Sequence, residues 1–300
     1  MDVATDGVRI VYTENDTVRE VPVAGGTPIT LGSTPADWTN PVDVAVSAGV
    51  VAWTAWQQPG ASNVHTGVFT ATAGVANSGA NTANSGTQGG PFGGPADLVL
   101  SATGGAAYYV DAGLGSLMGC SLSGVLSSCT ARAPNVEKNA SSAFAIKGGT
   151  LFFTDYASRS VEAISTSGGT TTDIATGEAG PVYIALDGAY VYWANAILAP
   201  ESFNIARNPQ ASPDPAGASS VLGNTTGSIG GLATDGKYVY YAGRIGGIAA
   251  VAYVPVAGGA SKPLYSGATG GLATNVLAAG GAVYWYDTGD KTIRGIAAPL

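Results

Sequence analysis

Few residues in this chain are equipped for chemistry. His65, in Ser62-Asn-Val-His-Thr66, is the sole histidine, so it is the one imidazole available as a base beside a nucleophile. It lies in a polar loop ahead of an apolar run, the ordinary setting of a solvated histidine, and no catalytic residue is assigned. The enzyme alternative is a lyase or hydrolase built from His65 and neighbouring carboxylates. Carboxylates do recur, at Glu14, Asp16, Asp111, Asp155, Asp287 and Asp290. Ringed on one face, such groups would suit calcium or a paired-carboxylate hydrolase. Recurrence in register is, however, what structural capping predicts, because a catalytic residue has no reason to repeat; no metal ligand and no cofactor is assigned. Trp53 and Trp56 stand three apart, so on a strand they face opposite sides. Trp53 is expected in the core. Trp56, with Gln57 and Gln58, is left at a loop mouth, where an aromatic ring beside amides suits a sugar or a peptide. The candidate ligand-binding residues are therefore Trp56, Gln57, His65, Asp155, Tyr156 and Asp287.

The elements that position these residues repeat. Val182-Tyr-Ile-Ala-Leu-Asp-Gly-Ala-Tyr-Val-Tyr-Trp-Ala-Asn195 is an apolar run, an Asp-Gly turn and a second β-branched and aromatic run, the pattern of a hairpin. Leu232–Tyr241 and Val3–Tyr12 are close copies; 143–155, 276–287, 44–53 and 98–109 are looser ones. The register position of the second run falls at Tyr12, Ala52, Tyr108, Phe152, Tyr192, Tyr240 and Tyr284, in steps of 40, 56, 44, 40, 48 and 44 residues. A period of about 40–50 residues built from short strands is that of a propeller blade. A second strand–turn–strand half, clearest at Thr17–Leu31, makes each unit a four-stranded meander. The expectation is all-β: one seven-bladed β-propeller of four-stranded antiparallel blades over residues 1–300. Its units are 2–41, 42–95, 96–142, 143–181, 182–230, 231–270 and 271–300. The last offers only three strands, leaving 292–297 as an edge open either to a segment upstream of Met1 that would close the ring or to a strand of a neighbouring molecule, the route to self-association. Residues 73–95 read as a weak strand and a long loop, and 196–202 and 210–218 as loop insertions.

Composition narrows the partners. The net charge of −8, with only 11% charged residues, argues against nucleic acid and anionic membranes. No apolar run reaches the ~18–20 residues of a membrane span. Cys120 and Cys129, the only cysteines, flank a hairpin turn that would bring them together as a disulfide, implying an oxidising compartment. No signal peptide precedes the first strand, so an exported protein would be read here in trimmed form.

At the ends of the second runs, Phe152-Phe-Thr-Asp155, Tyr192-Trp-Ala-Asn195, Tyr284-Trp-Tyr-Asp287 and Tyr108-Tyr-Val-Asp111 resemble the Tyr-Trp-Thr-Asp motif of the low-density-lipoprotein-receptor propellers. The chain departs from that family in unit count, seven against six, and its composition is nearer to secreted bacterial propellers rich in Gly and Thr. The resemblance implies a structural role for the motif aspartate, tying adjacent blades, and so for Asp111, Asp155, Asn195 and Asp287. The streptogramin-inactivating lyases are propellers that use a histidine and magnesium, but no matching motif surrounds His65. The resulting expectation is a secreted or cell-surface binding or assembly module with a protein or glycan ligand at its loop face.

Overall fold

The computed structural model describes residues 1–57, 66–84, 95–111, 115–122, 127–134, 143–198, 201–211, 213 and 220–300. Among these, every regular element is a strand. Backbone contacts group the chain into two compact units, Met1–Leu151 with Ile164–Thr171, and Phe152–Ala163 with Thr172–Leu300.

The first unit opens with a meander of β1 (Val3–Thr5), β2 (Arg9–Glu14), β3 (Thr17–Pro22) and β4 (Ile29–Ser33), in that order across the sheet. The next is β5 (Val44–Ser47), β6 (Val50–Trp56), β7 (Thr66–Thr72) and β8 (Ala80–Asn84). β8 is the fourth strand expected within 73–95. It pairs with β7, and the Thr70 and Thr82 hydroxyls are hydrogen-bonded at 2.5 Å. The core of this sheet is Trp53, stacked on Phe69 at 5.7 Å, with Trp38 edge-on to Phe69 at 5.2 Å. Gly32 and Gly79 close over the Trp53 ring, where a Cβ on Gly79 would fall 2.6 Å from it.

A third sheet holds β9 (Pro95–Leu100), β10 (Ala106–Asp111) and β11 (Ser116–Ser121). The chain then leaves it: β12 (Ser127–Ser128) pairs parallel to β8 before β13 (Thr130–Pro134) returns to β11. This excursion departs from a plain four-stranded meander. The Cys129 amide donates to the Asn84 carbonyl at 2.9 Å, and Cys129 forms the expected disulfide with Cys120 of β11.

The fourth sheet, β14 (Phe144–Lys147), β15 (Thr150–Asp155), β16 (Ser160–Ser165) and β17 (Thr172–Thr176), is a regular meander. Its second strand, like β2, is buried on both faces at Leu151, Phe152 and Phe153, which explains the continuous apolar run in place of alternation.

The second unit differs most from expectation. Two blades were expected over 182–230 and 231–270; instead β18 (Pro181–Leu186), β19 (Tyr190–Leu198), β20 (Glu201–Pro209), β21 (Ser220–Thr234), β22 (Tyr238–Ile245), β23 (Ile248–Pro255) and β24 (Lys262–Thr269) form one seven-stranded sheet. The cause is β21, which pairs with β20 up to Thr226 and with β22 from Gly227 onward. No proline interrupts it. Gly227 (φ 117°) lets the backbones close: a Cβ there would lie 2.0 Å from the Arg244 carbonyl. The described parts of the 196–202 insertion, 196–198 and 201–202, are likewise strand, because Ala196, Ile197 and Leu198 pair with Phe203, Ser202 and Glu201 and prolong the hairpin. Most of 210–218 lies outside the described residues. The unit ends in β25 (Ala273–Ala279), β26 (Ala282–Asp287) and β27 (Thr292–Ala297), a three-stranded sheet as expected. No helix among the described residues is long and apolar enough to cross a membrane.

Candidate functional site

The polar residues that end the second strands hold turns and junctions. Asp155, buried, accepts from the Ala157 and Ser158 amides at 2.9 and 3.0 Å, closing the β15–β16 turn. Asn195 donates to Asn204 at 3.0 Å and to Glu178 at 2.5 Å; the same Glu178 oxygen accepts the Trp193 indole N–H at 2.8 Å. Asp111 is fully buried. Asp6, Asp187 and Asp235 cap the first hairpins through the amides that follow them. Asp187 and Asp235 also accept the Tyr192 and Tyr240 hydroxyls, at 2.5 and 2.7 Å. Burial, reinforced by these hydrogen bonds, raises both phenols above their ordinary range.

Asp287 differs because its turn borders a cavity. A pocket of about 400 Å³ lies in the second unit against β24, the β24–β25 connection and the β26–β27 hairpin, and Tyr265, Gly270, Gly271, Asp287, Asp290 and Arg294 line it. Asp287 accepts the Gly289 amide and the Tyr265 hydroxyl, each at 2.9 Å, and Arg294 Nε stands 3.6 Å from it. Arg294 also pairs with Asp290, and its guanidinium lies 5.4 Å from the centre of the Tyr265 ring. Behind the pocket, Tyr265 packs on Trp285 at 4.8 Å. Burial raises the Tyr265 phenol, and its hydrogen bond to Asp287 adds to this while Arg294 opposes it. The Thr292 hydroxyl and then Arg294 hold the Asp290 carboxyl below the usual range. Asp290 is thus ionised at neutral pH and Tyr265 is a protonated donor. The site presents fixed donors and acceptors, with two carboxylates sharing one guanidinium.

Of the expected ligand-site residues that are described, only Asp287 lines this pocket. Trp56, half-buried, pairs with Thr66, while Gln57 forms an isolated bridge to Trp38 and donates to Asp37 at 3.4 Å. Tyr156 packs on Gly180, where a Cβ would lie 2.9 Å from its ring. His65 and Gln58 lie outside the described residues. Glu14 is paired with Arg19 at 2.6 Å, and no cluster of three or more metal-ligating side chains occurs among the described residues. Sequence reading passed over Tyr265 and Arg294. The i,i+4 spacing of Asp290 and Arg294, directly after Gly289, was the available signal for the second.

In the first unit, Asp2 and Asp43 directly precede β1 and β5, and Asp97 lies within β9 at its register shift. Burial, then the Asp2 and Asp97 charges, push the Asp43 carboxyl well above its ordinary value, although the Asp97 amide donates to it.

No family model matches the chain, and no curated protein does. Solved structures do. The chain is similar to one in the crystal structure of a nidogen/laminin complex (TM-score 0.60, 16% identity, covering 86% of this chain and 92% of that one). It is also similar to the β-propeller domain of the Trilobed protease from Pyrococcus furiosus, described as having an open velcro topology (TM-score 0.64, 10% identity, 98% and 93%). A third similarity is to the computationally designed Ika8 protein (TM-score 0.62, 12% identity, 99% and 82%). At these identities the likeness is one of fold: small antiparallel sheets in a β-propeller arrangement.

Proposed function

We propose that the protein is a non-catalytic, extracellular binding module of the Tyr-Trp-Thr-Asp type, a single propeller of seven sequence units that takes a ligand in the β24–β27 pocket. One observation carries this reading. The pocket's ionised groups are committed to one another, Asp287 to Tyr265 and Gly289, and Asp290 to Thr292 and Arg294, which leaves a polar surface suited to recognition. Its volume lies at the lower end of the ~300–1,000 Å³ of small-ligand sites. The Cys120–Cys129 disulfide supports an oxidising location. The seven-stranded sheet counts as two units because β21 changes partner at Gly227.

Among the described residues β27 pairs with β26 alone, and Ile296 on it is 40% exposed; this edge is our proposed route to assembly with a second copy. Trp56 and Gln57 remain a second proposed contact. Screening the purified protein and its Arg294→Ala variant on glycan and peptide arrays tests the reading. A ligand bound by the parent and lost in the variant supports it, and identical profiles for the two overturn it.

A further inference from the structure

The pocket is a repeat junction from which one side chain is missing. After β17 the chain runs Thr176-Gly177-Glu178, with Gly177 left-handed (φ 73°). Arg159 donates from Nε to the Glu178 carbonyl (2.6 Å) and from Nη2 to the Gly177 carbonyl (3.5 Å). The Glu178 carboxylate then plugs the exit of β19, bonded to Trp193 and Asn195. After β24 the chain runs Thr269-Gly270-Gly271, with Gly270 left-handed (φ 85°). Arg244 forms the same fork, Nε to the Gly271 carbonyl (3.3 Å) and Nη2 to the Gly270 carbonyl (3.4 Å). Pro181 pairs with Asn195 in the first junction, and Ala273 with Asp287 in the second. By the arginine fork Gly271 stands where Glu178 stands, with one residue fewer before the paired strand.

The consequences appear in the surrounding atoms. A Cβ on Gly271 would lie 3.2 Å from the Ala249 Cβ and 3.4 Å from Asp287 Oδ1, on the side where Glu178 reaches Asn195 in the other junction. Trp285 is only 2% exposed, yet its Nε1 has no hydrogen-bond partner among the described residues, whereas Trp193 has the plug. Trp53 Nε1 is also unpartnered, but there Gly32 and Gly79 close on the ring. Two further exchanges separate the junctions. Asn195 becomes Asp287, a donor turned acceptor, and Ala206, opposite Trp193, becomes Arg294, opposite Trp285.

These exchanges select the occupant. Asp287, Asp290 and Arg294 leave the pocket one negative charge, on a chain of net charge −8, so an anion is repelled. A cation would have to displace Arg294, which is already paired with both carboxylates. A neutral group whose neighbouring hydroxyls both donate and accept suits this alternation of acceptor and donor. Gly270, Gly271 and Gly289 let a ring approach the backbone closely.

Resting on the reading of the pocket as a ligand site, we propose that it is a subsite for one residue of a neutral glycan, with vicinal hydroxyls donating to Asp287 and Asp290 and accepting from Arg294. The test uses the full chain, with binding measured against arrays of neutral, acidic and amino-sugar oligosaccharides and of lysine-containing peptides. Two variants are read beside it. Gly271→Gln restores a plug whose amide can donate to Asp287, and Arg294→Met removes the donor but keeps the stem; melting temperatures confirm that each is folded. Neutral oligosaccharides should bind the parent and bind either folded variant at least about tenfold more weakly, the scale of losing a hydrogen bond to a charged group. Amino sugars or lysine peptides bound by the parent and lost in the variants would overturn the glycan assignment while preserving the ligand site. Neutral glycan binding unchanged in the folded variants, or no ligand that either affects, would overturn the proposal, the second outcome together with the site.

Discussion

Removing the Glu178 plug should destabilise the protein by about 3 kcal/mol. Its Oε2 accepts from Trp193 Nε1 and Asn195 Nδ2, on residues 0% and 3% exposed. In Glu178→Ala both donors lose that acceptor, and water does not reach them. Each buried donor left unsatisfied costs about 1–3 kcal/mol. Asn195 keeps its bond to Asn204, which places the sum in the lower half of the resulting range of about 2–6 kcal/mol. Glu178→Gln retains an oxygen able to accept from both, so its loss should be about 1 kcal/mol, the difference between a charged and a neutral acceptor. At this chain length about 2–3 °C of melting temperature corresponds to 1 kcal/mol, giving roughly 6–9 °C for Ala and 2–3 °C for Gln. Urea titration with a common m-value is the assay. A cycle with Trp193→Phe should return a coupling of about 1–2 kcal/mol, because phenylalanine has no N–H for the carboxylate to satisfy. An alanine variant within 1 kcal/mol of the parent, or a glutamine variant as damaged as the alanine one, would show that the junction is held by packing and not by these bonds.

Three other outcomes follow from the first unit. Non-reducing mass spectrometry should find the protein two hydrogens lighter than its free-thiol mass, and reduction of Cys120–Cys129, nine residues apart, should lower stability by about 2.5–3 kcal/mol. Gly79→Ala should lower stability by about 1–3 kcal/mol, since its Cβ would meet Trp53 at 2.6 Å and the Gly32 Cα at 2.9 Å; an unchanged melting temperature would mean that the Trp53 stack shifts freely. Asp43, whose folded carboxyl is raised by burial and by Asp2 and Asp97, holds its proton more tightly folded than unfolded. Stability should fall as pH rises from the unfolded value of about 3.9 through the raised one, and Asp43→Asn should gain stability at neutral pH but not below about pH 4, where both forms are uncharged.

The hairpins were legible because their signals are local. Asp187-Gly188 and Asp235-Gly236 announce turns through the hydrogen bonds that Asp makes to the next amides. Strands buried on both faces, such as Val191–Ala194, carry unbroken apolar runs. What the sequence hid depends on pairing between distant segments. Within Ser220–Thr234 only Gly227 stands where the two halves change neighbours, and its part is set by the distant Gly243 and Arg244: the Gly227 and Gly243 backbones meet those of Arg244 and Ser228. The excursion of β12 to β8 joins residues more than forty apart and rests on two bridges, too short to carry a periodic signal. At the candidate site Asp287 was visible through its motif, whereas Tyr265 and Arg294 come from β24 and β27, and only the fold brings them to it.

Repetition supplies an internal standard that a single-core domain lacks. When junctions share an arginine fork, a left-handed glycine and a buried tryptophan, a junction that keeps these and lacks the plug is marked by its departure. In repeat architectures stability is approximately a sum over units and neighbouring interfaces, so the loss of one plug is a local deficit that the other junctions tolerate. Such a deficit would ordinarily be closed by a side chain moving in. Here the opposite has accumulated: Gly270, Gly271 and Gly289 present no side chains, and Arg294 brings a charge to the rim where Ala206 brings none. If the vacancy were only decay, Gly271→Gln should be stabilising and otherwise silent. If it is a subsite, the same substitution should stabilise the fold and abolish binding together, and that pairing of effects is what distinguishes a site from a flaw.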